Sequence, residues 1–301
     1  MRGWTERVSI QARSVHPLVR VRASVSERET SGEPDFFSEG EGGARALLRA
    51  ALRQVTSGGL GRTPPIWRER RIFSELAAFR RDPISAGAGL PDGRGRPVFL
   101  IPGYMTGDAA LASMAQALRK AGFRTEMAGI RLNVGCAAEM IAPLETRLEA
   151  HVAAHAGRKA FVIGQSRGGG FGRWLAARRP DLVSGLVTLG TPLRDPLALN
   201  MLVLVNLGIV CSLGALGVPG VLSAGCLSLD RCCGQGWREV TRPLPTDVPF
   251  LSIYSRSDGI VDWRACLDPA ARHVEVDSSH CGMAFNVDVL RAVGTELGRA
   301  A

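Results

Sequence analysis

A serine flanked by glycines, Gly164-Gln-Ser166-Arg-Gly168, stands between the apolar run Ala160 to Gly164 and a helical stretch, Phe171 to Arg179. A Gly-x-Ser-x-Gly pattern in that setting puts the serine on a sharp strand-to-helix turn, where larger flanking residues would collide with neighbouring backbone. The chemistry open to a serine so presented is nucleophilic attack on an acyl carbon. In a chain with 36 glycines the pattern alone is weak. The strand leading in and the helix leading out carry the reading.

A serine hydroxyl is a poor nucleophile at its ordinary pKa, so acyl chemistry needs a histidine to take its proton and a carboxylate to orient that histidine. Of the five histidines, His16 lies in an N-terminal extension, His151 and His155 fall at a helix end, and His273 begins a strand. His280 differs from these: it follows the strand Val274-Glu-Val-Asp-Ser-Ser and precedes Cys281-Gly282, which places it on a loop at the carboxyl edge of a sheet. Asp258 stands just after the strand Phe250 to Ser255, and Gly259 suits a tight turn there. Asp262 and Asp277 are the competing carboxylates. An oxyanion needs two preorganised donors. One is the backbone N–H of Arg167, directly after the serine; the second is expected from the loop after the first core strand, at Tyr104 with Met105 next in line.

These groups need a scaffold that delivers several strand ends to one edge. Beyond Arg96, short apolar β-branched runs alternate with longer helical ones, the signature of βα units on a parallel sheet. The expected strands are Pro97 to Ile101, Arg124 to Ile130, Ala160 to Gly164, Val183 to Leu189, Phe250 to Ser255 and His273 to Val276. Helical spacing marks Ala44 to Val55, Ile72 to Arg80, the segment around Leu111 to Leu118, and Ala137 to Ala154. Residues 1–42 read as a poorly ordered extension, 43–95 as a helical segment packing on the core, and 96–301 as the catalytic domain. Within it, Leu197 to Leu229 carries no charge. A lid over an apolar cleft is expected; plain core and a membrane span are the alternatives, the span weakened by Asn200, Asn206, Pro219 and the glycines that break the run.

Composition narrows the field. Of 301 residues, 46% are hydrophobic and 22% charged, enough for a large core and against wholesale disorder. The net charge of +9 comes almost entirely from arginines spread over helix faces, so no nucleic-acid partner is expected. The first residues lack the apolar run of a secretory signal, which reads as a cytoplasmic protein. Seven cysteines at irregular spacing make no disulfide framework and read as small apolar residues. Cys232-Cys233 suits a soft metal, yet no partner pair at ligand spacing accompanies it, so no metal or organic cofactor is expected.

Taken together, Leu100-Ile-Pro-Gly-Tyr104, Gly164-Gln-Ser-Arg-Gly-Gly169, Leu189-Gly-Thr-Pro192, Ser257-Asp-Gly-Ile-Val261 and Ser279-His-Cys-Gly282 resemble an esterase/lipase-like branch of the α/β-hydrolase superfamily over about residues 95 to 300. The resemblance implies an α/β-hydrolase fold, with a mostly parallel sheet flanked by helices and an apolar cap over about 193–247. It implies Ser166, Asp258 and His280 as a catalytic triad and the Tyr104 and Arg167 amides as the oxyanion hole. The expected substrate is a small hydrophobic ester, with acyl transfer and a non-catalytic binding role as alternatives. Pro102-Gly103 stands where many members have His-Gly, a departure that bears on substrate inference.

Overall fold

Runs such as Pro97–Ile101 and Ala160–Gln165 are buried at every position, so they belong in strands covered on both faces rather than on one. The computed structural model describes residues 20–22, 42–56 and 63–299, and there these runs form the middle of one sheet. Its strands are β1 (Arg20–Arg22), β2 (Pro97–Ile101), β3 (Arg124–Met127), β4 (Ala160–Gln165), β5 (Val183–Leu189), β6 (Phe250–Tyr254) and β7 (Arg272–Glu275), in the order β1-β7-β6-β5-β4-β2-β3. Strands β2 to β7 run parallel, and β1 pairs antiparallel with β7 through Arg20↔Glu275. The carboxyl ends of β2, β4, β6 and β7 therefore open on one edge. The remainder of the 1–42 extension, apart from Gly42, lies outside the described residues.

Successive side chains of a strand face opposite ways, and the two cores divide accordingly. Val98, Leu100, Ile163, Val187 and Leu251 pack with Phe79, Leu118 and Leu290, while Phe99, Ile101, Val162 and Leu186 pack with Leu144, Leu148 and Leu175. The helices are α1 (Gly43–Thr56), α2 (Ile72–Arg81), α3 (Ala112–Lys120), α4 (Ala137–Ala153), α5 (Arg167–Arg178), α6 (Met201–Ala215), α7 (Gly234–Thr241) and α8 (Val287–Arg299), and α2, α3, α4, α5 and α8 supply these partners. A tight 3-10 helix, Ile66–Arg71, precedes α2.

Two boundaries differ from the pattern-based expectation by more than two residues, each for a local reason. Strand β3 stops at Met127 rather than Ile130, because the Asp108 carboxylate draws the amides of Gly129 and Ile130 aside at 2.8 and 3.2 Å. Helix α5 starts at Arg167 rather than Phe171, so Gly168, Gly169 and Gly170 are helical despite their low propensity. Packing overrides it: a Cβ on Gly168 would lie 2.2 Å from the Ile101 carbonyl oxygen.

The uncharged segment Leu197 to Leu229 folds as α6 and a 3-10 turn at Ala224–Leu227. Asn200 caps α6, its Oδ1 accepting from the Leu202 amide at 3.0 Å. Leu204 and Leu207 pack with Ala46 and Ala50 of α1, while Val205 and Ile209 face outward. Among the described residues, no helix is long and apolar enough to cross a membrane.

Candidate active site

Strand β4 delivers Ser166 onto the turn into α5 with φ 52° and ψ −125°, a left-handed conformation that costs a non-glycine residue about 1–3 kcal/mol. The surroundings enforce it. The Ser166 amide donates to the Leu189 carbonyl at 2.8 Å. Gly164 and Gly168 let the turn close, since a Cβ on Gly164 would lie 2.4 Å from the Gly168 carbonyl oxygen. Opposite, a Cβ on Gly103 would come within 3.1 Å of the Ser166 Cβ.

The loops after β6 and β7 bring Asp258 and His280 together: His280 Nδ1 and Asp258 Oδ2 lie 2.6 Å apart, both side chains buried. The other Asp258 oxygen, Oδ1, accepts from the amides of Ile260 and Val261, each at 2.8 Å, which fixes the carboxylate in an Asx turn. With the acceptor so held, Nδ1 carries the proton and Nε2 keeps its lone pair. Burial alone pulls the imidazole pKa down, but the Asp258 charge and hydrogen bond outweigh it, and the net shift is upward. The competing carboxylates are placed elsewhere. Asp262 caps the Trp263–Cys266 turn through the Arg264 amide at 3.1 Å, and Asp277 pairs with Arg71 at 2.8 Å.

Gly190, with φ +56°, sits against this pair: a Cβ there would lie 3.0 Å from His280 Nδ1 and 3.2 Å from Asp258 Oδ2. Gly190→Ala is expected to push the imidazole off the carboxylate and cost about 10²-fold in kcat, the scale of a 1 Å misplacement. Steady-state ester kinetics beside a thermal melt check this. A variant of unchanged kcat would mean the His280–Asp258 contact is not needed.

Tyr104, Met105 and Arg167 surround the serine turn. The Met105 amide donates to the Asn133 carbonyl at 3.3 Å, and that commitment favours Tyr104 over Met105 as a free donor toward the cavity. The Tyr104 hydroxyl donates to Asn206 Oδ1 at 3.0 Å; burial, with Cys211 adding, pushes its pKa up to about 12, so it stays protonated. The Arg167 side chain is tied to the neighbouring loop, its Nη1 donating to Asn133 Oδ1 at 2.8 Å and Nη2 to the Gly135 carbonyl at 2.6 Å. Asn133 is fully buried and its Nδ2 donates to the Pro102 carbonyl at 2.8 Å. One amide side chain thus ties the Tyr104 loop to the residue after the serine.

Three positioning residues escaped the sequence reading: Asn133, Glu69 and Glu75. Glu69 Oε1 accepts from the amides of Gly259 at 2.9 Å and His280 at 3.0 Å, and Oε2 from Cys281 at 3.0 Å. Glu75 accepts from the Ser279 amide at 2.9 Å and from the Ser279 hydroxyl. Both come from residues 66–81; Glu69 holds the loops bearing Asp258 and His280, and Glu75 holds the His280 loop. Gln165 Nε2 donates to the His280 carbonyl at 3.1 Å, joining the serine strand to the histidine loop.

Ser166 and His280 open into one cavity of about 670 Å³. Its far wall comes from the uncharged segment, with Leu202, Val203 and Leu207 of α6 and Leu222 beyond it. A volume in the range of small-molecule sites, with apolar walls and few polar groups, suits an apolar ligand with one reactive polar centre.

Residues 96–208 match the model of a family described as alpha/beta hydrolase fold. Among solved structures, lipase BlEst2 of Bacillus licheniformis in its mature form is similar with a TM-score of 0.50 and 16% identity, over 69% of this chain and 93% of that one. A soluble variant of monoglyceride lipase from Saccharomyces cerevisiae, in complex with a substrate analogue, is similar with a TM-score of 0.52 and 15% identity, over 70% and 89%. At such identities the likeness is one of fold. No curated protein matches the chain by sequence.

Proposed function

Given the α/β-hydrolase fold of this chain, we propose that it is a serine esterase acting on carboxylic esters with a hydrophobic acyl or alcohol group. The observation that carries the reading is the buried His280–Asp258 pair, 2.6 Å apart, at the same cavity as the strained Ser166. In this reading His280 Nε2 takes the Ser166 proton as Oγ attacks the ester carbonyl, and Asp258 stabilises the imidazolium that forms. The Tyr104 and Arg167 backbone N–H groups receive the oxyanion. Collapse expels the alcohol, to which His280 returns the proton. Water, deprotonated by the same histidine, then hydrolyses the acyl-enzyme. The apolar walls formed by α6 support the substrate class.

The upward shift of His280 sets a pH dependence. Catalysis needs neutral imidazole, so kcat/KM is expected to rise with pH and to level off above a midpoint higher than the ordinary histidine value of about 6.5. The sign for stability is opposite. A raised folded pKa stabilises the protonated native state below the unfolded value, and that contribution fades as pH rises through the folded one. A kcat/KM profile with its acid limb at or below the ordinary histidine pKa would contradict the electrostatics described.

Two measurements test the function itself. One is turnover of p-nitrophenyl esters of graded acyl length. The other is fluorophosphonate labelling followed by peptide mass mapping. Hydrolysis with the label on Ser166 is the expected result. An absence of turnover at every length, together with no label on Ser166, would overturn the reading.

A further inference from the structure

Beside the cavity, four cysteines from two distant parts of the chain converge: Cys136 at the start of α4, and Cys226, Cys232 and Cys233 from the segment between α6 and α7. Their sulfurs all lie within 4.8 Å of one another. Cys136 Sγ is 3.6 Å from that of Cys232 and 3.5 Å from that of Cys233; Cys232 Sγ is 3.6 Å from Cys226 and 3.9 Å from Cys233. We propose that Cys136, Cys226, Cys232 and Cys233 form a tetrathiolate site for a single zinc ion that fastens the cap to the core beside the substrate cavity.

Geometry selects a mononuclear metal. Metal–sulfur bonds of about 2.3 Å in a tetrahedron separate the sulfurs by about 3.8 Å, the spacing found here. A disulfide brings one pair to about 2.05 Å and leaves its members no reason to seek two further thiols. An iron–sulfur cluster fills the space between its cysteines with iron and sulfide, so its four thiolates stand much farther apart than these. Four protein sulfurs close the coordination sphere, which marks a structural rather than a catalytic ion. Exposed Cys232 gives the metal a route in, while the other three are buried.

Charge supplies an independent argument. A divalent ion with four thiolates carries two net negative charges, costly to bury without a nearby cation. The Arg167 guanidinium feels Cys233, Cys226 and Cys136 electrostatically and is held by the carbonyls of Asn133 and Gly135. It has no carboxylate partner among the described residues. Gly135 immediately precedes Cys136, so the same arginine grips the chain that carries a ligand. The ligands lie some ninety residues apart in sequence and lack the paired C-x₂-C spacing, which is why the cysteines read as scattered apolar residues. Each thiol that binds releases its proton to solvent, and no oxidant or reductant is needed.

The full chain, purified under reducing conditions and dialysed with zinc, is expected to hold about one zinc per chain by plasma mass spectrometry. A mercurial thiol reagent should release that zinc. Replacement by Co²⁺ should produce sulfur-to-cobalt charge transfer and the intense d–d bands of a tetrahedral thiolate site. The double variant Cys136→Ser/Cys226→Ser should lose both the zinc and those bands. Should that variant fail to fold, the cobalt spectrum and mercurial titration of the wild-type chain decide. Zinc below one-tenth of the chain concentration, a cobalt spectrum without thiolate charge transfer, or a disulfide among these residues under reducing conditions would overturn the site. None of these readouts depends on ester turnover.

Discussion

Ser166→Ala is expected to lower kcat for a p-nitrophenyl ester by about 10⁴- to 10⁶-fold while leaving the fold intact. The argument is local. Ser166 stands at φ 52° on a turn closed by glycines, and alanine adopts that strain no worse than serine. In the proposed mechanism the change therefore removes the nucleophile and little else. Residual rate over water would come from the cavity and the oxyanion donors. A companion variant separates strain from chemistry. Ser166→Gly should be as inactive, yet more stable by up to about 1–3 kcal/mol, because glycine occupies this region without steric cost. Single-turnover kinetics with thermal melts on both variants give the answer. Retention of kcat within about tenfold in Ser166→Ala would move the nucleophile elsewhere.

Asp258→Asn is the second large effect, about 10⁴-fold in kcat. Asparagine keeps Oδ1, which accepts from Ile260 and Val261, so the turn is expected to survive. What changes is the atom facing His280 Nδ1, 2.6 Å away. An amide NH₂ there donates, so Nδ1 must accept and the proton moves to Nε2. The imidazole then has no lone pair to offer Ser166. Loss of the Asp258 charge also removes the largest influence raising the His280 pKa, so the acid limb of any residual activity should shift to lower pH. Proton NMR of the imidazole in the wild type and the variant reports the tautomer directly. An unchanged tautomer with full activity would assign Asp258 a purely structural role.

Much of the fold was legible because its signals are local. Strands β2 and β5 begin and end where their apolar runs do, and the strand-then-helix context of Gly164 to Gly168 needs only neighbours to be read. Placing Asp258 and His280 after β6 and β7 follows from strand order alone, and the structure sets them side by side while engaging Asp262 and Asp277 elsewhere. What stayed hidden depends on partners far along the chain. Asn133, Glu69 and Glu75 matter through backbone amides of other segments, and a backbone amide leaves no mark in the identity of its residue. Sulfurs contributed by residues 136 and 226–233 share no local pattern either. Helix α5 beginning within a glycine run shows tertiary contact overruling propensity.

The glutamates at 69 and 75 redraw the smallest portable piece of this protein. Judged by its alternating strands and helices, that piece starts near residue 96, and a fusion or graft made on that basis would carry Ser166, Asp258 and His280 intact. It would also leave the amides of Gly259, Ser279, His280 and Cys281 without the carboxylates that satisfy them. Buried donors stripped of partners cost about 1–3 kcal/mol each, so the two loops would relax toward water and let His280 drift from Ser166. A transplant that begins upstream of Ile66 keeps the brace together with what it braces.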